Sequence, residues 1–309
     1  MTESLRIGVV GVPGQWSSEW LADVMAERTG FRLLLDLGRV VFDGERGSVY
    51  EGDLDLSTLD GLVVKKIGAT YNPTMLDRVE LLRHVAESGV TVRSRPESLL
   101  RVLDRLSGTI TLQRAGIPIP PTVVTEDVEC AAAAVERFGQ AVLKPLYSSK
   151  ARGMRLLEAG RREDLVQQMR EFKKVMGPVL YVQQRVEHPG RDLGVAFLCG
   201  QYLGTYARVS GDGAWNTTIR SGGRYAPHTP PTAIIDLAHR AQALFDLDFT
   251  TVDVVETPGG PMVFEVSAFG GFRGLQNCLG LDVAGLVSDA MVERVREGRQ
   301  LRVVGGNHA

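Results

Sequence analysis

The sequence predicts a fold that combines an α/β region with α+β regions, and three observations support this. Residues 1–93 alternate short apolar runs with stretches of helical periodicity, which favours a parallel-leaning sheet with helices packed against it. Residues 123–186 carry helix and strand patterns of their own after the rigid stretch PIPPT, so we expect a separate small unit there. Residues 250–275 have the pattern of a long β-hairpin.

Composition and charge exclude several classes of protein. The 309 residues are enough for about two domains of ~150 residues each, with an ordinary globular content of 44% hydrophobic residues. The net charge of −2 gives no broad positive field, so we expect neither a nucleic-acid partner nor a membrane partner. No secretory leader or long apolar run is present, which favours a cytoplasmic protein. The widely spaced Cys130, Cys199 and Cys278 predict core residues rather than disulfides or a zinc site.

Apolar runs and turn residues predict the elements of the N-terminal region in order. We expect strands at 5–12, 31–37, 59–68 and 90–94, a hairpin near 40–53, and helices at 16–27 and 73–89. The pattern Ser94-Arg95-Pro96-Glu97 predicts a capping box, and the helix it opens is expected to run to Gly116 with Leu106 and Ile110 facing inward.

The remaining chain predicts a lid and a C-terminal region. The lid is expected to contain helices at 126–138 and 161–176 and strands at 140–146, 155–159 and 179–186. The C-terminal region is expected to contain a hairpin turning at Gly200, a glycine-rich loop, helices at 231–245 and 282–298, and a loose tail at 305–309. The predicted domains are therefore 1–93, 94–122 (helix and linker), 123–186 and 187–309.

The hairpin near residue 258 brings acidic side chains together. With the turn centred on Gly259, the register predicts that Asp253 faces Glu265, Thr251 faces Ser267 and Val255 faces Val263. Val252, Val254, Phe264 and Val266 would then face a core. Opposed carboxylates about 5 Å apart repel, and a divalent cation such as Mg²⁺ removes that cost, although a solvated polar face fits the same pattern.

Basic residues elsewhere predict a phosphate site. Lys144 ends an apolar strand and is followed by the small-residue loop 148–154, in which Gly153 permits close backbone approach. A strand-end lysine over a surface turn is the alternative. The strand ending at Gln184 could read an adenine edge through its backbone, and Asp192 could bind ribose hydroxyls, but a linker and a turn aspartate explain these positions equally well.

The glycine-rich loop offers further cations. Arg208, Thr218 and Arg220 accompany Asn216 and Arg224 among glycines, and such groups beside a metal site could stabilise a phosphoryl group or an acyl-phosphate oxyanion. A polar surface loop is the alternative. No Ser/His or Cys/His pair stands out, so no dedicated nucleophile is predicted.

Five motifs, in order from Ser94 to the end of the chain, together resemble the ATP-grasp superfamily, and within it the RimK-type glutamate ligases. They are DR…AGIPIPPT, VLKPLYSSKARGM, VQQRVEHPGRDLG, WNTTIRSGG and VDVVE…MVFEVSAFGGFRGL. The sequence also resembles an ATP-grasp subgroup of the GAK gene system, which supplies no substrate. The resemblance implies an ATP-grasp fold with an N-terminal pre-ATP-grasp α/β domain, a small lid and a C-terminal metal-binding domain.

The resemblance also implies residue roles. Contacts to ATP would come from residues on the helix, the lid and the seam between domains, namely Arg105, Lys144, Ser148, Ser149, Gly153, Gln184, Val186 and Asp192. Asp253, Glu265 and Ser267 would bind Mg²⁺ or Mn²⁺, with Ser267 standing where the family usually has asparagine. Gly194 stands where RimK-type ligases carry arginine, and Thr218 and Ser221 also depart from the family pattern on the acceptor side.

The resemblance favours an ATP-dependent ligase that joins a carboxylate to an amine through an acyl phosphate. The expected partners are ATP with Mg²⁺ (or Mn²⁺), a carboxylate substrate and an amine acceptor that is a small molecule or a peptide, and we expect a homo-oligomer. Two alternatives share the same motifs: a small-molecule kinase, and a nucleotide-binding regulatory protein without turnover.

Overall fold

The structure is a computed structural model that describes residues 4–305, with side chains to residue 300. In chain order its N-terminal part contains β1 (Ile7–Val10), α1 (Trp16–Thr29), β2 (Leu34–Leu35), β3 (Val41–Asp43), β4 (Ser48–Glu51), β5 (Leu54–Asp55), β6 (Gly61–Val64), α2 (Thr74–Glu87) and β7 (Thr91–Arg93). Strands β2-β1-β6-β7 form a parallel sheet, the N-terminal sheet, and β3-β4-β5 form a small antiparallel sheet. The predicted parallel-leaning α/β region and the hairpin between its strands are confirmed.

Two short helices, α3 (Pro96–Leu103) and α4 (Arg105–Arg114), replace the single helix that the sequence predicts. The chain breaks at Asp104, whose extended backbone and side chain cap α4 by accepting a hydrogen bond from the Leu106 amide at 3.0 Å. The predicted capping box is wrong because the Ser94 hydroxyl instead accepts a hydrogen bond from the Asp248 amide at 2.9 Å. Ile110, predicted to face inward, is 45% exposed.

The middle of the chain contains the predicted helices and strands and one further strand, β8 (Thr122–Thr125), that the sequence prediction lacks. The predicted elements are α5 (Val128–Phe138), β9 (Gln140–Lys144), β10 (Arg155–Glu158), α6 (Arg162–Met176) and β11 (Leu180–Gln184). The strands form an antiparallel sheet in the order β10-β9-β11-β8, which we call the lid sheet. The side chains of α5, α6 and this sheet form a hydrophobic core of their own.

The C-terminal part contains β12 (Arg191–Leu198), β13 (Gln201–Val209), β14 (Arg224–Pro227), α7 (Thr232–Ala243), β15 (Phe249–Thr257), β16 (Gly260–Ser267), α8 (Phe272–Leu279) and α9 (Val283–Gly305). Its strands form the antiparallel C-terminal sheet in the order β14-β13-β12-β15-β16. The hairpin that turns at Gly200 is confirmed. Helix α8 is absent from the sequence prediction, because its glycine-rich start hides the apolar spacing.

The N-terminal and C-terminal parts share their packing. One hydrophobic cluster joins the strands of the N-terminal sheet to Leu193, Phe197 and other residues of the C-terminal sheet. A second joins α1 to α9, which lie against each other. The lid sheet is therefore separated from a larger body made of both chain ends.

Some predictions of burial and extent differ from the structure. Cys130 and Cys199 are exposed and Cys278 is half-buried, so their predicted core positions are wrong. The run at 31–37, predicted as a strand, forms only the short strand β2. None of the helices within residues 4–305 is both long and apolar enough to cross a membrane. The predicted tail lies outside the described residues, apart from Gly305 at the end of α9.

Candidate active site

The hairpin β15–β16 places the two acids as the sequence predicts. Asp253 pairs with Glu265, and Thr251 pairs with Ser267. Nearer the turn a β-bulge shifts the register by one residue, so Val255 pairs with Met262 and the predicted pairing with Val263 is wrong.

The bulge also changes the face of the sheet to which the Phe264 side chain points. Phe264 is half-buried, whereas its neighbour Val263 is fully buried in the core, so the predicted core position of Phe264 is wrong. The Phe264 ring instead faces the acidic side of the hairpin, where its centroid lies 5.5 Å from the Nζ atom of Lys144. The electron-rich face of the ring attracts the ammonium group of Lys144.

Arg105 connects three elements at the centre of the site. From the first turn of α4, its Nη1 lies 3.0 Å from Glu265 Oε2, and its Nε donates to the Pro145 carbonyl at 3.2 Å. Its Nη2 donates to the Ser148 hydroxyl at 3.3 Å. The side chain is only 8% exposed, so the helix break at Asp104 directs a largely desolvated guanidinium between the hairpin and the lid.

Lys144 is the last residue of β9, and its side chain is buried beside Arg105. Its Nζ donates a hydrogen bond to Oε1 of Gln183 on the neighbouring strand β11. Burial lowers the pKa of Lys144 to about 7, and the charge of Arg105 adds to this, while the carboxylates of Glu265 and Asp253 oppose it. An anion in contact with Nζ would therefore restore its positive charge.

Most of the predicted phosphate-side residues line one cavity of about 80 Å³. It brings together residues from helix α4, from the loop 148–154 (the lid loop) and from the hairpin, including Arg105, Ser148, Ser149, Glu265 and Ser267. Tyr71, from the segment after β6, also lines it and was not identified from the sequence. A larger cavity of about 200 Å³, between α1, β6 and α9, contains none of the predicted site residues.

A buried triad of charges lies on the same face of the C-terminal sheet as the two acids. Arg208 on β13 donates to both oxygens of Asp192, and its Nη2 lies 2.7 Å from Asp253 Oδ2. The two carboxylates hold the pKa of Arg208 well above its usual range despite burial. Burial raises the pKa of Asp253, and the nearby charge of Glu265 adds to this. Asp192 is thus engaged with an arginine, and its predicted contact with ribose stays a prediction.

Some backbone groups of the residues predicted to meet adenine already form hydrogen bonds within the protein. The Gln184 amide donates to the Pro121 carbonyl at 2.8 Å, and the Arg185 amide donates to the Gln140 carbonyl at 3.0 Å. Val186 follows β11 outside the ladder. The backbone donor of Gln184 is therefore not free for a base edge in this structure, because it continues the β8–β11 ladder.

The glycine-rich loop stands apart from the acids. Thr218 Oγ1 bonds to Asn216 Oδ1 at 2.7 Å and to the Ser221 hydroxyl at 3.1 Å. Arg220 is exposed in a single 3₁₀ turn, and within residues 4–300 it makes no ion pair with the acids. Of the three residues predicted to act in catalysis, only Arg208 contacts a candidate metal ligand.

A family model described as a RimK-like ATP-grasp domain matches residues 103–291, which include the whole of this site. The chain belongs to the RimK-like ATP-grasp family.

Known proteins similar to this RimK-like chain agree with that assignment. The tetrahydromethanopterin:alpha-L-glutamate ligase of Methanosarcina acetivorans is 27% identical over 270 residues, covering 81% of this chain and 82% of that protein. A RimK domain ATP-grasp protein from Sphaerobacter thermophilus is 23% identical with a TM-score of 0.72, covering 92% of this chain and 98% of that one. The ATP-grasp ligase PsnB, complexed with a phosphomimetic variant of its minimal precursor, Mg and ADP, is 20% identical with a TM-score of 0.71, covering 94% of this chain and 99% of that one.

The fold of this RimK-like chain is therefore the predicted ATP-grasp fold. The family match and the relatives that are ligases support an ATP-dependent enzyme that forms an amide bond, and the structures of ATP-grasp ligases share its fold. The predicted family and enzyme class are confirmed.

The residues of the candidate metal site suit a magnesium ion by their chemistry. Within residues 4–300 no group of three His, Cys, Asp or Glu side chains converges, so the acids here are Asp253 and Glu265, with Ser267 on the same face. Carboxylate and hydroxyl oxygens are hard ligands of the kind that Mg²⁺ prefers. Each acid is paired with an arginine in this structure, and a bound cation would compete with those guanidinium groups.

The ring of Tyr206, on the neighbouring strand β13, fills the space beside Gly194. A Cβ atom at Gly194 would lie 2.5 Å from Cζ of Tyr206, and one at Gly274 would lie 2.6 Å from three atoms of the same ring. One at Gly271 would lie 2.7 Å from the Tyr206 hydroxyl oxygen. We call this set the glycine cradle; the ring of Tyr206 occupies the space that a larger side chain at position 194 would need.

Proposed function

We propose that this ATP-grasp ligase activates a substrate carboxylate as an acyl phosphate and transfers the acyl group to an amine, with release of ADP and phosphate. The observation that carries the proposal is the placement of Arg105, which touches both Ser148 of the lid loop and Glu265 of the hairpin beside Lys144. Cations and a carboxylate that converge from a lid and a base suit the phosphates of a nucleotide.

In this proposal the nucleotide lies between the lid sheet and the C-terminal sheet. The cationic heads of Lys144 and Arg105 bind phosphate oxygens, and the loop with Ser148, Ser149 and Gly153 covers them. The seam at Gln184 and Val186 borders the base, and Asp192 lies on the ribose side.

Magnesium, or manganese in its place, would be held by Asp253 and Glu265, with Ser267 as a hydroxyl ligand. When bound, the ion neutralises phosphate charge and makes the γ-phosphorus more electrophilic. A bound cation would compete with Arg105 for Glu265 and with Arg208 for Asp253, so part of each guanidinium group could then contact an anionic group.

The chemistry needs positioning and electrostatics rather than a nucleophile from the protein. A carboxylate oxygen of the substrate attacks the γ-phosphorus, the bond to the bridging oxygen breaks, and ADP leaves. The amine then attacks the acyl carbon, loses a proton, and displaces inorganic phosphate. Arg208, with Arg220 and Thr218 once their loop closes, would stabilise the negative charge, and lid closure keeps water from the acyl phosphate.

The substrates are proposed only by class. Methanosarcina acetivorans has a relative named as a glutamate ligase of tetrahydromethanopterin, and PsnB is described with a peptide precursor. Both support a carboxylate and an amine carried by a small molecule or a peptide. The domain limits at 93, 122 and 186 and a homo-oligomeric assembly remain part of the proposal.

Trapping the intermediate tests the proposal directly. The full-length protein is incubated with Mg·ATP, hydroxylamine and pools of carboxylic acids, and hydroxamate, ADP and phosphate are quantified. We expect hydroxamate and phosphate in equal amounts for the true substrate. A phosphoester without hydroxamate would identify a kinase, and ATP binding without turnover across broad pools would identify a regulatory protein; either result contradicts the ligase.

A further inference from the structure

A single lysine from the N-terminal sheet holds the turn that follows the hairpin β15–β16. Lys65 comes directly after β6, and its side chain is buried. Its Nζ donates hydrogen bonds to the carbonyls of Phe269 and Gly270, at 2.7 and 2.8 Å. These carbonyls belong to residues 268–271, between β16 and α8, which we call the post-hairpin turn. Lys65 therefore joins the N-terminal sheet to the stretch of backbone that begins directly after Ser267.

Lys65 is buried without a carboxylate beside it. Within residues 4–300 its Nζ forms no ion pair, and two aromatic rings lie next to it instead, with the centroid of Phe272 at 4.1 Å and that of Phe249 at 5.9 Å. Burial lowers the pKa of Lys65 well below its usual value, and the charges of Lys66 and Lys150 add to this. Burying an ammonium group without a counter-charge costs free energy, even when carbonyls and rings offset part of that cost. Stability alone is therefore a weak reason for a lysine at this position.

The post-hairpin turn is also held from the side of β15. The Gly271 amide donates to the Thr251 hydroxyl at 3.0 Å, and the Thr250 hydroxyl donates to the Ser267 carbonyl at 2.8 Å. At Gly270 φ is +38°, and a Cβ atom there would overlap an aromatic ring on β15. The lysine, the threonine hydroxyls and the missing Cβ thus fix one short stretch of backbone together. Backbone that its surroundings hold in a rare conformation is typical of functional sites.

The post-hairpin turn borders the candidate active site. Ser267, the residue before the turn, lines the cavity of about 80 Å³ together with Glu265. Within the turn, the Phe269 ring meets the Tyr71 ring edge to face, with centroids 6.3 Å apart, and Tyr71 lines the same cavity. A displacement of the carbonyls that Lys65 holds would therefore move both a candidate metal ligand and a wall of the cavity.

We propose that Lys65 is a positioning residue of the metal site, which holds the post-hairpin turn so that the Ser267 hydroxyl reaches the cation bound by Asp253 and Glu265. Lys65 itself touches neither the cation nor the nucleotide, because its Nζ is engaged by the two carbonyls and the Phe272 ring. This proposal rests on the proposed ligase function, which supplies the cation. It gives the N-terminal domain a part in a metal site whose proposed ligands all lie on β15 and β16.

The test compares nucleotide binding with and without a metal ion. The affinity of the full-length protein for AMP-PNP is measured by titration calorimetry with Mn²⁺, which accepts the same oxygen ligands as Mg²⁺, and again with EDTA. For Lys65→Met we expect the ratio of the two affinities to fall by about tenfold or more, because groups that orient metal ligands contribute that much to metal affinity. The affinity with EDTA should change by less than about threefold, since Lys65 contacts no part of the nucleotide. A lysine that only stabilised the fold would shift the urea midpoint of unfolding and leave this ratio unchanged.

Three further variants make the result interpretable. Lys65→Arg keeps a charged donor, and the adjoining cavity of about 200 Å³ has room for the larger group, so most of the ratio should be recovered. Lys173→Met is the matched control, because Lys173 on α6 also donates to a backbone carbonyl, that of Glu126, and it should equal the wild type. Thr251→Val removes the hydroxyl that holds the other side of the turn and keeps a similar shape. It should also lower the ratio, and it tests the turn even if Lys65→Met fails to fold.

The role of Lys65 is contradicted by an equal ratio in the wild type and in whichever of Lys65→Met and Thr251→Val are folded by circular dichroism. A wild type whose AMP-PNP affinity does not respond to Mn²⁺ contradicts it as well, and so does a loss in Lys173→Met as large as that in Lys65→Met. Hydroxamate formation by a wild type whose ratio is independent of Lys65 would overturn this proposal alone. A ratio that depends on Lys65, without hydroxamate from any carboxylic acid, would overturn the ligase alone.

Discussion

The charge of Lys144 depends on whether an anion is bound beside its Nζ atom. Burial and Arg105 lower its pKa to about 7, so at pH 8 the side chain is mostly neutral in the free protein. If a triphosphate binds at Nζ as proposed, it would raise the pKa again, and binding above pH 7 would then take up a proton. The depressed pKa has the opposite effect on the free protein. Between pH 7 and the ordinary lysine value of 10.5, the unfolded chain binds more protons than the folded one, so stability rises with pH there.

The affinity for AMP-PNP should consequently fall as pH rises above 7. We expect a decrease approaching tenfold per pH unit until the pKa of the complex is reached, measured by calorimetry with Mg²⁺ between pH 6 and pH 10, since one proton is linked to binding. Lys144→Met should bind more weakly and show a flat profile through the same range. A wild-type profile as flat as that of the variant would contradict the assignment of Lys144 to the phosphates.

Replacing the Glu265 carboxylate by an amide tests whether this residue is a metal ligand. Glu265→Gln keeps the shape but removes the charge, so Mg-dependent ATP turnover should fall by about 100-fold or more. Its loss of the ion pair with Arg105 should cost only about 1 kcal/mol, since the Glu265 side chain is 44% exposed.

The matched control is Glu256→Gln, which changes an acid on the same hairpin that pairs with Arg191 outside the cavity. Turnover by this control should equal that of the wild type, and circular dichroism should show both variants folded. Full turnover by Glu265→Gln would remove Glu265 from the metal site.

Among the elements, the lid loop is held in a conformation that suits glycine. Gly153 has φ near +71°, and a Cβ there would lie 2.7 Å from Cε of Met176 and 3.1 Å from Cγ of Pro145. The methionine end can move, but the left-handed backbone still costs about 1–2 kcal/mol for a residue with a side chain. Gly153→Ala should therefore lower the free energy of unfolding by about that amount and weaken AMP-PNP binding.

Gly160→Ala, in the turn after β10, is the comparison. Its Cβ would meet only the Glu158 carbonyl oxygen at 4.0 Å, and its φ lies outside the left-handed region. Urea unfolding should place it within about 0.5 kcal/mol of the wild type or slightly above, because alanine restricts the unfolded chain. Equal effects of the two substitutions would mean that the conformation of Gly153 has no special importance.

The elements also show what sequence patterns can and cannot reveal. Helices α5 and α6 and strands β9 and β11 were predictable within a few residues, because their apolar periodicity is regular and their ends carry turn residues. The break at Asp104 was not, since Asp104-Arg105 fits a helix interior until the aspartate caps its own downstream turn. No local pattern indicated the β-bulge next to Val254, so the sequence prediction placed Phe264 on the wrong face.

The site residues divide in the same way. The pairing of Asp253 with Glu265 and the position of Lys144 at a strand end were predictable, because residue type and strand pattern determine both; their roles in binding stay predictions. Tyr71 comes from a distant part of the sequence, and only tertiary packing brings it to the cavity. The ion pair between Asp192 and Arg208 depends on the β12–β13 register, which no local sequence pattern specifies.

For the whole molecule, the division of the core determines what can move. Helix α9 returns to pack on α1, so both ends of the chain form one body, whereas the lid sheet has a separate core. Contacts between the two include polar ones, such as those of Arg105 with Pro145 and of Arg152 with Ala69. Polar contacts of this type suit a lid that opens and closes.

Hydrogen exchange should detect that closure. With Mg and AMP-PNP, amides of the lid loop 148–154 should exchange more slowly than in the free protein, because the loop is ordered by phosphate contacts. Amides of α9 should be unchanged, since that helix belongs to the rigid body. Repeating the measurement with EDTA should remove most of the protection; protection spread evenly over the lid and α9 would argue against separate motion.

The ring of Tyr206, seated among Gly194, Gly271 and Gly274, also limits which residues can stand together at positions 194 and 206. A larger side chain at position 194 would meet the ring, so it requires a smaller residue at position 206. A smaller residue at position 206 beside Gly194 would instead leave a cavity against the backbone. We therefore expect the chain to tolerate a paired exchange at the two positions better than either single substitution.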